Sequence, residues 1–483
     1  MNREFLLNIL FLVLINLLIK PLFIFGVDLG VQNRVGDGEY GLYFTLTSFI
    51  LLFQIINDFG IQNFNNRHIS RHPHLLPKYF PNLLALKIIL STAFVLIVAP
   101  AALLSGYEWA VMPLLLVLLV NQVLIHLTFF LRSNLSGLGH FRLDSFFSAL
   151  DKLLMLVTCG ALFFLPFPVT IMHFALAQTL ALALTALWVF IALRRRARFP
   201  VRPGWARNWR AGRAFLVALF RQSAPYALVV FLMYTYSRLD VVLLERLLPD
   251  GRVHADVFAG AFRLLDAANM FGYLFATLLL PMFARLRGKG EPVAPLVKMS
   301  LSLIWAGSIA LAVTVFFARA ELIELMFPEK ATGYRADTLG ILIWVFVPVS
   351  VTYVFSTLLT ADGRLMQMNR FFAVAVGLDV LLNLILTPTW KAQGAAVSAL
   401  VTQGFVATAM VGLCVRAFGF SVHRRHWAPL LGYGLVVVAS AVLVFGYVPW
   451  PWYAQAALLL AVSAVAALLL GLVRVRAWLE GLG

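Results

Sequence analysis

Cysteine, acidic side chains and charge of any kind are scarce in this chain. Of 483 residues only two are cysteine, 21 are acidic and 12% are charged. Cys159 and Cys414 both fall inside apolar runs, so they form neither a disulfide framework nor a thiolate metal site and read as small buried hydrophobes. There is no Walker A loop, no His-Glu-x-x-His helix, no Gly-x-Ser-x-Gly elbow and no dinucleotide-binding glycine fingerprint. Nucleotide hydrolysis and familiar hydrolase chemistry therefore have no seat, no cofactor or metal is implied, and the chain is expected not to be an enzyme. Connections such as Ser105-Gly106-Tyr107-Glu108 and Pro166-Phe167-Pro168 are too short to hold a catalytic domain, which argues against membrane glycosyltransferases and polymerases.

Apolar residues are in excess. They make up 62% of the chain, and the mean hydropathy is +0.90. Such a composition belongs to an all-α polytopic membrane protein rather than to a large soluble core. The run from Phe5 to Phe25 is long enough, at 1.5 Å per residue, to cross a ~30 Å hydrocarbon layer. It lacks a small-residue cleavage site and is read as a first membrane helix, not a signal peptide. Hydropathy divides the chain into about fourteen spans, roughly 6–26, 41–63, 83–105, 110–131, 144–165, 169–193, 223–245, 257–283, 299–318, 339–361, 370–388, 394–415, 428–448 and 453–473.

The formal net charge is +17, from 38 Lys and Arg. Their distribution excludes nucleic acid as the partner they serve. About 26 lie in loops on the side of the termini and about 7 on the other, so the positive-inside rule makes both termini cytoplasmic. The excess also favours anionic membrane lipids as partners. His68, His72 and His74 sit in a basic loop with Pro73 and no acid or thiol, which reads as solvated loop rather than a metal site.

The second half repeats the first. Lys20 precedes Tyr40-Gly41-Leu42-Tyr43 by 20 residues, and Arg238 precedes Phe258-Ala259-Gly260-Ala261-Phe262 at the same spacing. Gly137-Leu138-Gly139-His140-Phe141-Arg142 likewise parallels Ala361-Asp362-Gly363-Arg364. Each six-span half begins and ends on one side, so the copies form two six-helix lobes related by a parallel pseudo-twofold axis along the membrane normal. The expected organisation is an N-lobe at 1–193, a basic cytoplasmic linker at 194–222, a C-lobe at 223–416 and two appended spans within 417–483. The linker carries nine arginines and no acid between Arg194 and Arg221, with Trp209, Phe215 and Phe220 interleaved, as in a helix lying on an anionic leaflet.

The charges at depth are the candidate site. Lys20 lies two-thirds of the way through the first run, and Pro21 is expected to bend the helix there. Lys20 either faces a cavity or snorkels to the nearer interface. No acid shares its span, whereas Arg238 and Asp240 share the seventh and Arg263 and Asp266 the eighth. Lys20, Arg238 and Arg263 are candidates for an anionic headgroup, with phosphate as the natural ligand. Asp240, Asp266 and Asp58 are candidates for ion pairs or for coupling; Asp58 could cap a helix end or pair with Arg67.

Lys20-Pro21-Leu22-Phe23-Ile24-Phe25, Val31-Gln32-Asn33-Arg34-Val35-Gly36, Glu39-Tyr40-Gly41-Leu42-Tyr43 and Asp58-Phe59-Gly60-Ile61-Gln62-Asn63-Phe64-Asn65-Asn66-Arg67 resemble the polysaccharide-biosynthesis exporters. These are Wzx-type flippases of the multidrug/oligosaccharidyl-lipid/polysaccharide (MOP) superfamily. Asp362-Gly363-Arg364, Pro388 and Gln393-Gly394-Ala395-Ala396 resemble the family's later helices. The resemblance implies two lobes around a V-shaped cavity in the bacterial inner membrane. It also implies that an undecaprenyl-diphosphate-linked oligosaccharide is moved to the outer leaflet by alternating access, for O-antigen-like surface polysaccharide, with glycan-assembly proteins as further partners. Three alternatives stand beside it. A cation-coupled drug antiporter would carry a carboxylate deep in the first helix, a peptidoglycan-precursor flippase several arginines in the first two, and a glycan-assembly scaffold would not transport.

Overall fold

The computed structural model describes residues 19, 21–61, 76–164, 166–196, 209–420 and 424–472. Among them every regular element is helical. Hydrocarbon offers backbone N–H and C=O groups no partner, and a helix satisfies them within its own segment. Eleven of the described helical stretches are long and apolar enough to cross a membrane. Large apolar side chains such as Leu96, Leu104 and Leu435 stand exposed on them, as lipid contact requires. The chain is an all-α, multi-pass membrane protein. It divides into two compact units, Met1–Val242 and Leu243–Gly483.

The first unit starts, within the described residues, on a π-helical turn, Leu22–Asp28, that follows Pro21 and runs directly into α1, Leu29–Arg34. The Leu29 amide donates to the Ile24 carbonyl, five residues back, so the wide turn stands just after the proline expected to bend the helix. The helix thus passes well beyond the expected boundary at residue 26. Hydropathy reads Asp28, Gln32 and Asn33 as loop, but Gln32 is fully buried and the helix ends only at Val35.

Gly38, with φ 79°, leads into α2, Glu39–Leu52, which breaks at Phe53 before the short α3, Gln54–Asp58. There follow α4 (Leu76–Leu104), α5 (Met112–Gly137), α6 (Phe141–Ala161), α7 (Ile171–Arg196) and α8 (Trp209–Leu247). In this unit α7 packs against α5 and α6, and α3 against α4. The arginine run Arg194–Arg196 occupies the last turn of α7, where cations complement the helix dipole. The described part of the expected linker, from Trp209, is helical and continues unbroken into the next span.

The second unit holds the end of α8 and then α9 (Gly251–Lys289), α10 (Ala294–Phe317), α11 (Arg319–Met326), α12 (Gly333–Leu342), α13 (Phe346–Ala361), α14 (Leu365–Phe418), α15 (Arg424–Tyr447) and α16 (Trp452–Leu469). α13 is its hub, packed on α9, α10 and α14. The last two helices form a pair against α10, where Trp305 donates to the Leu430 carbonyl at 3.1 Å and Tyr433 to the Ala306 carbonyl at 3.0 Å.

The 54-residue α14 is two helices rather than one. Lys391 has non-helical backbone (φ 54°, ψ −129°), and the contacts Asn383–Ser398 and Asp379–Thr402 are both centred between residues 390 and 391. The chain therefore doubles back as a tight hairpin, in agreement with separate spans expected at 370–388 and 394–415. Gly394 makes the reversal feasible, because a Cβ there would stand 2.4 Å from the Leu386 carbonyl oxygen.

The turn after α13 matches the turn after α5 bond for bond. Asp362, Gly363 and Arg364 donate to Leu358, Thr360 and Leu359, as Leu138, Gly139 and His140 donate to Asn134, Ser136 and Leu135. The central glycines have φ of 79° and 83°. In the second unit, the helix ends around this turn carry Arg285, Arg287, Lys289, Lys298, Arg364, Arg370 and Arg416 against Glu291 and Asp362, while the opposite ends mix both signs.

Candidate functional site

In the first unit, one face of α2 organises the polar groups. Tyr40, Tyr43 and Phe44 fall at i, i+3 and i+4 and so point the same way. Tyr40 Oη donates to Asp28 Oδ1 at 2.9 Å, and Tyr43 Oη lies 3.0 Å from the Gln178 amide of α7. The Arg238 guanidinium of α8 stands 5.7 Å from the Phe44 ring centre, within reach of a cation–π attraction. One aromatic face thus meets a carboxylate, an amide and a guanidinium.

One expectation changes here. The first helix was expected to carry no acid, but because it runs on to Arg34 it includes Asp28. The unit boundary at Val242 places Arg238 and the buried Asp240 with the first unit. Lys20 lies outside the described residues.

Asp58 pairs with Lys87 of α4 at 3.3 Å; Arg67 lies outside the described residues. The Lys87 ammonium also donates to the Asn57 carbonyl at 2.7 Å. Ser91 and Gln122 extend the network through the Asn57 side chain, and Gln122 meets the His126 ring at 3.1 Å. A lysine this buried needs such partners, and their presence gives Asp58 a structural role.

In the second unit, Arg263 is buried in α9 beside the stacked Phe258 and Phe262, with Asp266 half-buried one turn on. Asp256 of the same helix takes a hydrogen bond from the buried Arg335 of α12, whose guanidinium lies 5.0 Å from the Phe327 ring. That pair ties two helices together.

A cluster that the sequence reading passed over sits inside the α14 hairpin. Asp379 is 0% exposed, and its Oδ1 lies 3.3 to 3.4 Å from Ser398 Oγ, Asn383 Nδ2 and Thr402 Oγ1. Thr387 donates to the Asn383 amide oxygen at 3.0 Å. A carboxylate buried at this depth, met by two hydroxyls and an amide N–H, suits a proton or a hard monovalent cation. The signal was present in the sequence: Asp379, Asn383 and Thr387 recur every four residues on one face of an otherwise apolar span.

A family model described as polysaccharide biosynthesis protein matches residues 5–287. A search of curated proteins finds no match. Among solved structures, the lipid II flippase MurJ in an inward closed conformation superposes with a TM-score of 0.72 at 12% identity, over 97% of this chain and 98% of its own. An inward-facing multidrug resistance MATE family transporter of the MOP superfamily gives 0.63 at 14% identity, over 85% of this chain and 100% of its own. The Vibrio cholerae MATE transporter VcmN gives 0.59 at 17%, over 85% and 95%. At these identities the likeness establishes a shared fold. With more than half of its length matched by the family model, the chain belongs to the polysaccharide biosynthesis protein family.

Proposed function

We propose that this chain flips a polyprenyl-diphosphate-linked oligosaccharide from the cytoplasmic to the outer leaflet of the bacterial inner membrane by alternating access, with both termini cytoplasmic. The observation that carries this reading is the conjunction of the family match over residues 5–287 with a fold shared along nearly the whole chain with a lipid II flippase. Lys20, Arg238 and Arg263 are assigned to the pyrophosphate, while the lipid tail stays in the bilayer. Each negative charge carried outward across a membrane negative inside gains about 2.3 kcal/mol per 100 mV, so the potential alone can drive export.

A second reading, cation-coupled transport on the same fold, is favoured by the buried Asp379 cluster and by Asp28 in the first helix. Flipping in proteoliposomes separates the two. Under the first reading, Lys20→Ala abolishes and Arg238→Ala impairs transfer of lipid-linked oligosaccharide, and a potential drives it with no proton or sodium gradient. Normal transfer in both variants would remove the headgroup assignment. Loss of transfer in Asp379→Asn, with dependence on one cation gradient, would favour the second.

A further inference from the structure

The basic ends of the second unit enclose a cavity of about 730 Å³ that the transport reading does not use. Its volume falls within the range of about 300–1,000 Å³ typical of small-ligand sites. The inner wall is apolar, built by Val297 and Leu301 of α10, Phe355 of α13, Val411 and Val415 of α14 and Leu430 of α15. At the rim stand Arg287 and Lys298, with Glu291 as the one acid lining it among the described residues. Arg287 and Arg364 both bind Asp362, at 2.7 and 2.6 Å, and both lie over the Phe418 ring, at 5.2 and 5.9 Å from its centre. The two guanidinium groups exceed Asp362 by one charge, Glu291 offsets that one, and the exposed Lys298 leaves the mouth net positive.

We propose that this cavity is a binding site for one anionic phospholipid, an acyl chain against the valines and Leu301 and the phosphate at Arg287 and Lys298. The complementarity is specific in two respects. A soluble phosphate would leave the apolar wall wet, and a zwitterionic lipid would bring its ammonium against the cationic rim. In a multi-pass chain these helix ends, rich in Lys and Arg, stand at the level of the cytoplasmic headgroups. The site would hold a resident lipid whatever substrate the chain transports.

Native mass spectrometry of the purified full-length chain, exchanged with phosphatidylglycerol or phosphatidylcholine, tests this. Phosphatidylglycerol should be retained preferentially, and Lys298→Ala should lower its retention about fivefold while leaving phosphatidylcholine unchanged, the effect expected of one basic residue near a headgroup. Leu301→Trp should fill the cavity and lower retention of both. Leu435→Trp, at a position on α15 that is 73% exposed, should change neither.

A second readout does not depend on the bulky variant folding. Bimane on Ser302→Cys, with Cys159 and Cys414 shielded by burial, should be quenched saturably by brominated phosphatidylglycerol and weakly by the brominated choline lipid. Equal retention of the two lipids, or indifference to Lys298→Ala, would overturn the proposal. Displacement of the lipid by free glycerol phosphate would overturn it as well, since it would mark a soluble-phosphate site.

Discussion

Replacing Lys87 by methionine asks what the Asp58–Lys87 contact contributes. The lysine side chain is 1% exposed and the aspartate 17%. The ammonium serves two acceptors, the Asn57 carbonyl at 2.7 Å and Asp58 Oδ1 at 3.3 Å. Methionine fills much the same volume, so the packing loss is small. What the variant leaves behind is a carboxylate without its counter-ion and a buried carbonyl without a donor. Breaking a buried pair in this way costs about 3–5 kcal/mol. The remaining exposure of Asp58 admits water and screens part of that, which places the expected loss near the lower end, about 3 kcal/mol.

Adding Asp58→Asn to Lys87→Met should restore half or more, because exchanging a whole buried pair for neutral groups is close to neutral. The two free cysteines supply the assay. Both are buried, so a fluorogenic maleimide reports unfolding, and denaturation of the wild type, both single variants and the double variant closes a cycle. A loss below about 1 kcal/mol for Lys87→Met, or a double variant no more stable than it, would refute the ion-pair reading.

Three other outcomes follow from the structure. Burial pushes the Asp362 carboxyl up, but hydrogen bonds from Arg364 and Arg287, with their charges, outweigh it and hold the group below the usual carboxylate range. Its folded-state value being the lower one, Asp362 adds stability above the unfolded pKa of about 3.9 and loses it as pH falls through the folded value. The stability gap between wild type and Asp362→Asn should therefore be full near neutral pH and close on acidification; a gap independent of pH would contradict this. Gly394→Ala should lower thermal stability by about 1–3 kcal/mol, since the clash is with the Leu386 backbone, which cannot rotate away. Reporter fusions after Arg196 and Arg425 should be cytoplasmic and fusions after Pro249 and Glu329 external, with an external signal at Arg196 inverting the orientation.

Hydropathy alone determined that this is an all-α membrane chain, because a span must bury its backbone in its own helix and declares itself by length and apolarity. It separated 370–388 from 394–415, which the folded chain joins into one hairpin at Lys391, because Pro388, Thr389, Lys391 and Gln393 interrupt the apolar run. Asp362-Gly363-Arg364 was legible as a motif for a local reason: a glycine with positive φ is required at its centre.

Only the tertiary structure decided where the polar groups go. Asp28 looked like a loop residue until its helix proved to continue to Arg34 and Tyr40 to reach it from α2. Asp58 could not be matched with Lys87 by inspection, since the two are neighbours only through the packing of α3 on α4. Asp379 gains its ring of oxygens from Ser398 and Thr402 across the hairpin, a pairing set by the reversal at Lys391. Sequence periodicity reports which face of a helix is buried. Which side chain on another helix meets that face depends on contacts distant in the chain, and those exist only once it has folded.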